Sequence, residues 1–167
     1  MDEISEAQRL QRLHDLGILD TGEDKLFRGF AEQALAVMPG TTIAAISLID
    51  TDRQWFKTIV GLGVKETARN LSFCSHTIQE TSGVMVVEDA TCDPRFARNS
   101  LVTSQPGIRF YAGVRLTGGV GAICAIGRQP RQATENEVMK LTKLAQYVDI
   151  QLLAHGTLFN LAISARA

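Results

Sequence analysis

The chain has few cysteines, no long apolar run and almost no net charge. Its three cysteines, Cys74, Cys92 and Cys124, form an odd count without a C-x-x-C pair, which argues against a disulfide framework and against a zinc site. The longest apolar run in the middle of the chain, residues 43–49, is too short to span a bilayer. The net charge of −1 offers no overall field to nucleic acid or to an anionic membrane. We therefore expect reduced thiols, no metal site, and neither a nucleic-acid nor a membrane partner.

The amino-terminal residues are polar, so we expect no signal peptide and a cytoplasmic protein. A chain of 167 residues that is 45% hydrophobic and 21% charged can form one soluble domain, which we assign to residues 1–167. No G-x-G-x-x-G or P-loop pattern occurs, so the sequence does not support nucleotide binding by those routes.

Apolar residues at three- and four-residue spacing predict helices over about 3–16, 23–38 and 135–162. The last helix has a regular heptad seam. The seam consists of Val138, Leu141, Ala145, Val148, Leu152, His155, Phe159 and Ala162. It fits either a dimer helix or a helix packed on its own sheet. We favour the dimer, because regular spacing over three heptads exceeds what one-sided packing requires.

Alternating or apolar runs bounded by turn residues predict strands that pair as hairpins. The predicted strands cover 41–50, 54–60, 84–87, 109–116 and 120–126. Short helices are predicted over 72–80 and from Asp93 to about Asn99. The expected fold is α+β, with an antiparallel sheet whose first face is covered by the terminal helices. The second face is left to a long polar crossing, residues 66–111.

The crossing supplies most of the candidate ligand-binding residues, because so long a polar connection in a compact domain usually covers or binds something. Arg109 and Tyr111 share one face of a predicted strand, where a guanidinium and a phenol can bind a small molecule. Alternatively, Arg109 pairs with a nearby acid such as Asp89, which is itself a candidate. We identify no catalytic residue and no carboxylate pair suited to acid–base chemistry.

Three further candidates are Cys74, His76 and Trp55. Cys74 and His76 are two positions apart on a short helix, so they point to different sides and do not form a nucleophile pair. Cys74 also fits a small buried residue, and His76 fits either a pocket wall or a local backbone contact. Trp55 can line a pocket or cover the sheet edge.

Several motifs in this order resemble the GAF domains of bacterial signalling proteins, over about residues 9–148. They are Arg9–Thr21 (R-L-Q-R-L-H-D-L-G-I-L-D-T), Ile46–Asp50 (I-S-L-I-D), Asp52–Lys57 (D-R-Q-W-F-K), Ser72–His76 (S-F-C-S-H), Asp93–Ala97 (D-P-R-F-A) and Ile108–Gly113 (I-R-F-Y-A-G). The resemblance implies a PAS-like antiparallel sheet, a small-molecule pocket on one face, and terminal helices that often dimerise. It also implies regulation of an effector such as a histidine kinase or a cyclic-di-GMP enzyme.

The chain departs from parts of the family pattern. The N-K-F-D-E signature of cyclic-nucleotide members and the adjacent Cys-His of bilin-binding members are absent. No ligand or cofactor is therefore identified. No kinase or cyclase segment follows the last helix, so we expect a stand-alone domain or a part of a longer protein.

The sequence favours a non-catalytic sensory module that binds an unidentified small molecule and signals through a homodimer helix. One alternative is a dimerisation spacer without a ligand. Another is an enzyme, a thiol-based methionine sulfoxide reductase of GAF type, which would use one of the three cysteines.

Overall fold

The computed structural model describes residues 4–166. The helices are α1 (Glu6–Asp15), α2 (Lys25–Val37), α3 (Cys74–Thr77), α4 (Ser100–Thr103) and α5 (Glu135–Arg166). The strands are β1 (Ile43–Ile49), β2 (Arg53–Val60), β3 (Glu66–Ala68), β4 (Val84–Val87), β5 (Phe110–Arg115) and β6 (Gly121–Gly127). Short 3-10 helices lie at Arg69–Leu71, Ala90–Cys92 and Thr117–Gly119. No helix within the described residues combines the length and apolarity needed to cross a membrane.

The six strands form one antiparallel sheet in the order β3-β2-β1-β6-β5-β4. This confirms the predicted α+β fold. Every residue of the central strand β1 is buried, because both sheet faces are covered. Ile46 and Leu48 belong to the core under the helices, whereas Ala45 and Ile49 belong to a second core on the opposite face. The apolar character of both sides of β1 follows from this sandwich.

Helices α2 and α5 pack on one sheet face, as expected. Helix α1 begins with a capping box between Ser5 and Gln8. The buried guanidinium of Arg9 donates to the carbonyl oxygens of Ile49 and Gly119, at 2.7 and 3.2 Å. This anchors α1 to the end of β1 and to the turn before β6. The predicted start of α1 at residue 3 lies outside the described residues.

The heptad seam of α5 packs on its own domain, so its assignment to a dimer interface was wrong. Its central members are buried against the sheet and α2, namely Leu141, Ala145, Val148 and Leu152. A different stripe of apolar side chains is exposed. It includes Tyr147, Ile150, Leu153, Leu158 and Leu161. Core packing of a long helix uses the same 3-4 spacing as a coiled coil, so the spacing could not distinguish the two.

The polar crossing differs from the prediction in three places. Strand β3 was not predicted, since three residues are too few to show alternation. The helix expected over 72–80 is the single turn α3. The helix expected at Asp93 is a non-helical turn, in which the Asp93 carboxylate accepts from the Arg95 backbone N–H and guanidinium. The helix begins instead after Asn99, whose side chain caps α4.

Candidate functional site

The sheet face opposite the terminal helices is covered by two segments of the crossing, residues 69–78 and 99–108, here called the cover. The Asn99 side-chain amide joins the two segments by donating to the Leu71 carbonyl at 3.0 Å. Phe73 stacks on Phe96 with 4.0 Å between ring centroids and tilts against Tyr111. The cover therefore rests on the sheet through a separate aromatic and aliphatic core.

A small cavity of about 40 Å³ lies between the cover and the sheet. It is lined by Ile43, Ala45, Gln54, Phe56, Ile59, Leu62, Thr67, Phe73, Cys74, Leu101, Pro106, Ile108, Tyr111, Cys124 and Ile126. A water molecule needs roughly 10–15 Å³ of such space, so the cavity has room for about three waters. No Lys, Arg, His, Asp or Glu is among these lining residues, so an anion would lose its hydration there without a compensating charge.

The phenol of Tyr111 is the main polar group beside the cavity. Tyr111 is completely buried, and its hydroxyl lies 2.7 Å from Thr77 Oγ1 and 3.1 Å from Cys74 Sγ. Burial raises the pKa of Tyr111 well above its ordinary value, so the phenol stays neutral and keeps its proton for donation. Tyr111 thereby ties β5 to both ends of α3.

Gly113 makes room for the Tyr111 ring. The two residues are on the same face of β5, because side chains alternate along a strand. A Cβ on Gly113 would lie 2.1 Å from the Tyr111 hydroxyl oxygen and 2.6 Å from the Cζ atom of the ring. Both separations are far below van der Waals contact. The ring therefore lies flat over residue 113, which only glycine permits.

Two of the three cysteines meet at the cavity wall. Cys74 and Cys124 are both buried and both line the cavity. The neighbouring Cys74 thiol and burial raise the pKa of Cys124 well above its ordinary value. Burial opposes ionisation of Cys74 as well, but the nearby Cys124 thiol and the hydroxyls of Ser47 and Tyr111 lower its pKa.

Gln54 is a second polar residue on the cavity wall. Its side-chain amide donates to Thr67 Oγ1 at 3.0 Å, and its carbonyl oxygen accepts from the Ser72 hydroxyl at 2.7 Å. It thus connects β2, β3 and the start of the cover. Gln54 and Thr67 were not predicted as site residues. The only signal was strand alternation, which places Gln54 on the same face of β2 as Phe56.

The structure places the six predicted ligand-binding residues in different environments. Cys74 and Tyr111 line the cavity side by side. Trp55 does not line it, because the side chain points to the opposite sheet face and packs in the core under the helices. His76 is half-buried beside the Phe96 ring, outside the cavity lining. Burial and nearby Arg95 lower the pKa of His76, which favours the neutral imidazole.

Arg109 and Asp89 also lie outside the cavity lining. The Arg109 guanidinium donates to the carbonyl oxygens of Val102 and Ile108, at 2.9 and 3.0 Å. Within residues 4–166 it forms no ion pair, so the alternative in which it pairs with an acid is not seen, and its contact with a ligand stays a prediction. Asp89 is half-buried and caps the following 3-10 helix through the Thr91 N–H. Across the described chain, no group of three or more His, Cys, Asp or Glu side chains could hold a metal ion.

Residues 16–152 match the family model of the GAF domain. The chain belongs to the GAF family. Over 148 residues it is 39% identical to a cyclic di-GMP phosphodiesterase of Pseudomonas aeruginosa, which covers 86% of this chain and 25% of that protein. This GAF domain therefore spans about a quarter of the length of that relative.

Solved structures share the fold of this GAF domain at low identity. One is a domain assigned to a two-component sensor histidine kinase of Sinorhizobium meliloti 1021, with a TM-score of 0.59, 13% identity, and coverage of 86% of this chain and 97% of that one. Another is the free methionine-R-sulfoxide reductase of Neisseria meningitidis, with a TM-score of 0.59, 20% identity, and coverage of 93% and 95%. At these identities the similarity concerns the fold alone.

Proposed function

We propose that this GAF domain is a non-catalytic sensory module that binds a small molecule between the sheet and the cover, and passes the binding event to an effector. The observation that carries the proposal is the cavity itself. It lies under the two cover segments, partly open to solvent, on the sheet face that the terminal helices leave open. Small-molecule sites are usually concave and mostly apolar, and this cavity is a small, almost wholly apolar example.

The cavity wall favours a small uncharged ligand. The surface that lines the cavity is almost wholly apolar, and the polar groups of Gln54, Thr67 and Tyr111 form hydrogen bonds within the protein. A ligand of more than a few atoms would have to displace the cover, because the free space is about 40 Å³. Displacement of the cover gives the two states that a sensor requires, since a ligand shifts an equilibrium only by binding one state better.

A chain of contacts leads from the cover to α1. The Arg69 guanidinium, at the start of the cover, donates to Glu6 Oε1 at 2.7 Å and to the Asp50 carbonyl at 2.9 Å. Glu6 also accepts from Arg9, the residue that anchors α1 to the sheet. Movement of the cover would therefore pull on α1 directly.

Helix α1 in turn contacts the carboxyl-terminal half of α5. The Asn160 side-chain amide donates to the Asp15 carbonyl at 3.1 Å. Where the chain leaves α1, Gly17 adopts a φ of +59° and lies against the Phe159 ring. We propose that α5 carries the signal outward, with its exposed apolar stripe pairing in a homodimer. Exposed Ile150 and Leu153 are the central members of that stripe.

The effector is proposed from the Pseudomonas aeruginosa relative. Because that relative is a cyclic di-GMP phosphodiesterase four times as long as the matched region, we propose that this domain regulates an enzyme of cyclic di-GMP turnover. A histidine kinase or a cyclase is the alternative effector. The domain itself contributes regulation in this proposal, and the catalysis belongs to the effector.

Native mass spectrometry of freshly purified protein tests the sensor proposal. We expect a dimer that carries extra mass, and we expect denaturation to release that mass. Ala45→Leu, which fills the cavity from β1, should remove the extra mass, whereas Asp89→Asn, outside the cavity lining, should retain it. A bare dimer that also shows no thermal shift with a panel of small uncharged metabolites would contradict the sensor and favour a dimerisation spacer.

A thiol-based methionine sulfoxide reductase is a second candidate, because Cys74 and Cys124 line the cavity. Turnover of free methionine sulfoxide with a thiol reductant, lost on Cys74→Ser or Cys124→Ser and kept on Cys92→Ser, would establish it. Absence of turnover in the wild-type chain would remove this candidate.

A further inference from the structure

We propose that Cys74 and Cys124 form a hydroperoxide-reactive thiol pair, which closes to a disulfide across the cavity. The proposal does not depend on a small-molecule ligand, and the sensory function could hold or fail without it. It rests on three observations: the position of both buried cysteines on the wall of one cavity, the free space of that cavity, and the hydroxyl groups around Cys74.

The two thiols are brought together by tertiary packing. Cys124 is on β6, opposite Gly113 of β5 and Ala45 of β1. The small Ala45 leaves space beside Cys124, the Tyr111 ring covers Gly113, and α3 packs against β1, β5 and β6. Cys74, the first residue of α3, is thereby placed near Cys124: its sulfur is 3.1 Å from the Tyr111 hydroxyl, which lies over Gly113, the residue opposite Cys124. Exposed Cys92 lies elsewhere, with its thiol 3.6 Å from the Asp89 carboxylate.

The cavity gives a small oxidant access to these buried sulfurs. Its volume of about 40 Å³ exceeds the space that two waters need. Hydrogen peroxide, with two heavy atoms, fits this space, whereas a bulky oxidant does not. Buried cysteines are ordinarily inert, so the cavity beside this pair is the feature that separates it from a packed core thiol.

Hydroxyl groups around Cys74 favour its reactive form. The Tyr111 hydroxyl lies 3.1 Å from the sulfur, and the buried Ser47 hydroxyl has no hydrogen-bond partner within the described residues. Ser47 is two residues from Ala45 on β1, so its side chain lies on the same sheet face as the core that contains Cys74. A buried hydroxyl without a partner is costly. A thiolate or a bound oxidant would supply the missing acceptor.

The reaction balances in two steps. In the first, the Cys74 sulfur gives up its proton and attacks one oxygen of the hydroperoxide. The O–O bond breaks, the sulfur is oxidised to a sulfenic acid, and the other oxygen leaves as water. In the second, the Cys124 sulfur attacks the sulfenic sulfur, the S–S bond forms, the S–O bond breaks, and the hydroxyl leaves as a second water with the Cys124 proton.

The disulfide would fix the start of α3 to β6. The cover would then lose the outward movement that entry of a larger ligand requires. Oxidation thus becomes an input of its own, which holds the cavity closed.

The test uses the full chain, reduced and then treated with increasing hydrogen peroxide. After catalase quenching and alkylation in acidic denaturant, peptide mapping reports each cysteine. We expect the protein to lose the mass of two hydrogen atoms and to retain one alkylatable thiol, at Cys92. The Cys92→Ser variant should show the same mass loss with no alkylatable thiol remaining.

Cys124→Ala separates the two steps, because Cys74 should then stop at a sulfenic acid that dimedone traps. Wild-type mapping needs no variant and remains decisive if that protein folds poorly. The proposal is overturned if Cys74 and Cys124 stay fully alkylatable while Cys92 is oxidised. It is also overturned if the only disulfide joins Cys92 residues of two chains.

Discussion

Gly113→Ala should destabilise the domain by forcing the Tyr111 ring off β5. The added Cβ would stand 2.6 Å from the ring Cζ, whereas carbon atoms pack at about 3.5–4.0 Å, so the ring must move by about 1 Å. Such a shift breaks the hydroxyl contacts with Thr77 at 2.7 Å and Cys74 at 3.1 Å. Overpacking costs about 1–3 kcal/mol and each lost buried hydrogen bond about 1 kcal/mol. With two such bonds lost, we expect a total of about 3–5 kcal/mol.

Urea unfolding measures this loss, with Trp55 as the reporter. Trp55 is the only tryptophan and is buried, so its emission should shift to the red on unfolding. With a urea dependence of about 2 kcal/mol per molar, the midpoint should fall by about 1.5–2.5 M. Gly29→Ala is the matched control, because a Cβ there meets nothing within 4 Å. This helix-interior change should stabilise the domain by about 0.5–1 kcal/mol.

A double-mutant cycle identifies the cause. In a Tyr111→Ala background the ring is absent, so Gly113→Ala should add little further loss. The reasoning is refuted if Gly113→Ala leaves the midpoint unchanged in the wild-type chain. It is equally refuted if the change costs as much without the Tyr111 ring as with it.

Three other predictions concern the surroundings of the site. Hydrogen bonds from Arg9 and Arg69 lower the pKa of Glu6 from 4.5 to about 2, so its stabilising effect is present above pH 4.5 and is lost as the pH falls toward 2. Glu6→Gln should therefore weaken the dependence of the free energy of unfolding on pH in that window. The change should be no more than about 1 kcal/mol, since the carboxylate is half exposed, and an unchanged pH dependence would contradict this. Arg109→Met should lower the free energy of unfolding, measured in urea, by about 1–2 kcal/mol, because two carbonyls lose their donor. An unchanged urea midpoint would show that these hydrogen bonds do not stabilise the domain. Leu153→Lys should convert the proposed homodimer to monomer in analytical ultracentrifugation without changing the thermal midpoint of the monomer. A dimer that persists in this variant would exclude the exposed stripe of α5 as the interface.

Strand alternation in the sequence predicted the faces of β5 but not those of β2. In β5, Phe110, Ala112 and Val114 form one apolar face, which packs under the helices. Tyr111 is on the other face, which the structure places at the cavity. In β2 both faces are largely covered, so Trp55 and Gln54 are both buried. Nothing in the local pattern shows which of them meets the cavity. Trp55 was therefore expected near a ligand and is found in the opposite core.

The contacts of Arg109 show a second limit of local pattern. Its position in the crossing predicted a carboxylate or a ligand as partner, because acids are abundant nearby. The structure gives it two backbone carbonyls instead. A guanidinium satisfies its donors equally with either kind of oxygen. Only the path of the α4 turn decides which oxygen comes within reach.

By itself, the sequence determined the order of the main helices and strands, the antiparallel sheet and the GAF resemblance, because periodicity and turn residues act over a few neighbouring positions. Tertiary structure decided what covers each apolar face. It turned the heptad seam of α5 onto its own sheet and exposed Leu153. It also brought Cys74, Tyr111 and Cys124 to one cavity wall from α3, β5 and β6. The spacing of apolar residues indicates that a side chain is buried, whereas the residues that it contacts depend on how distant segments pack.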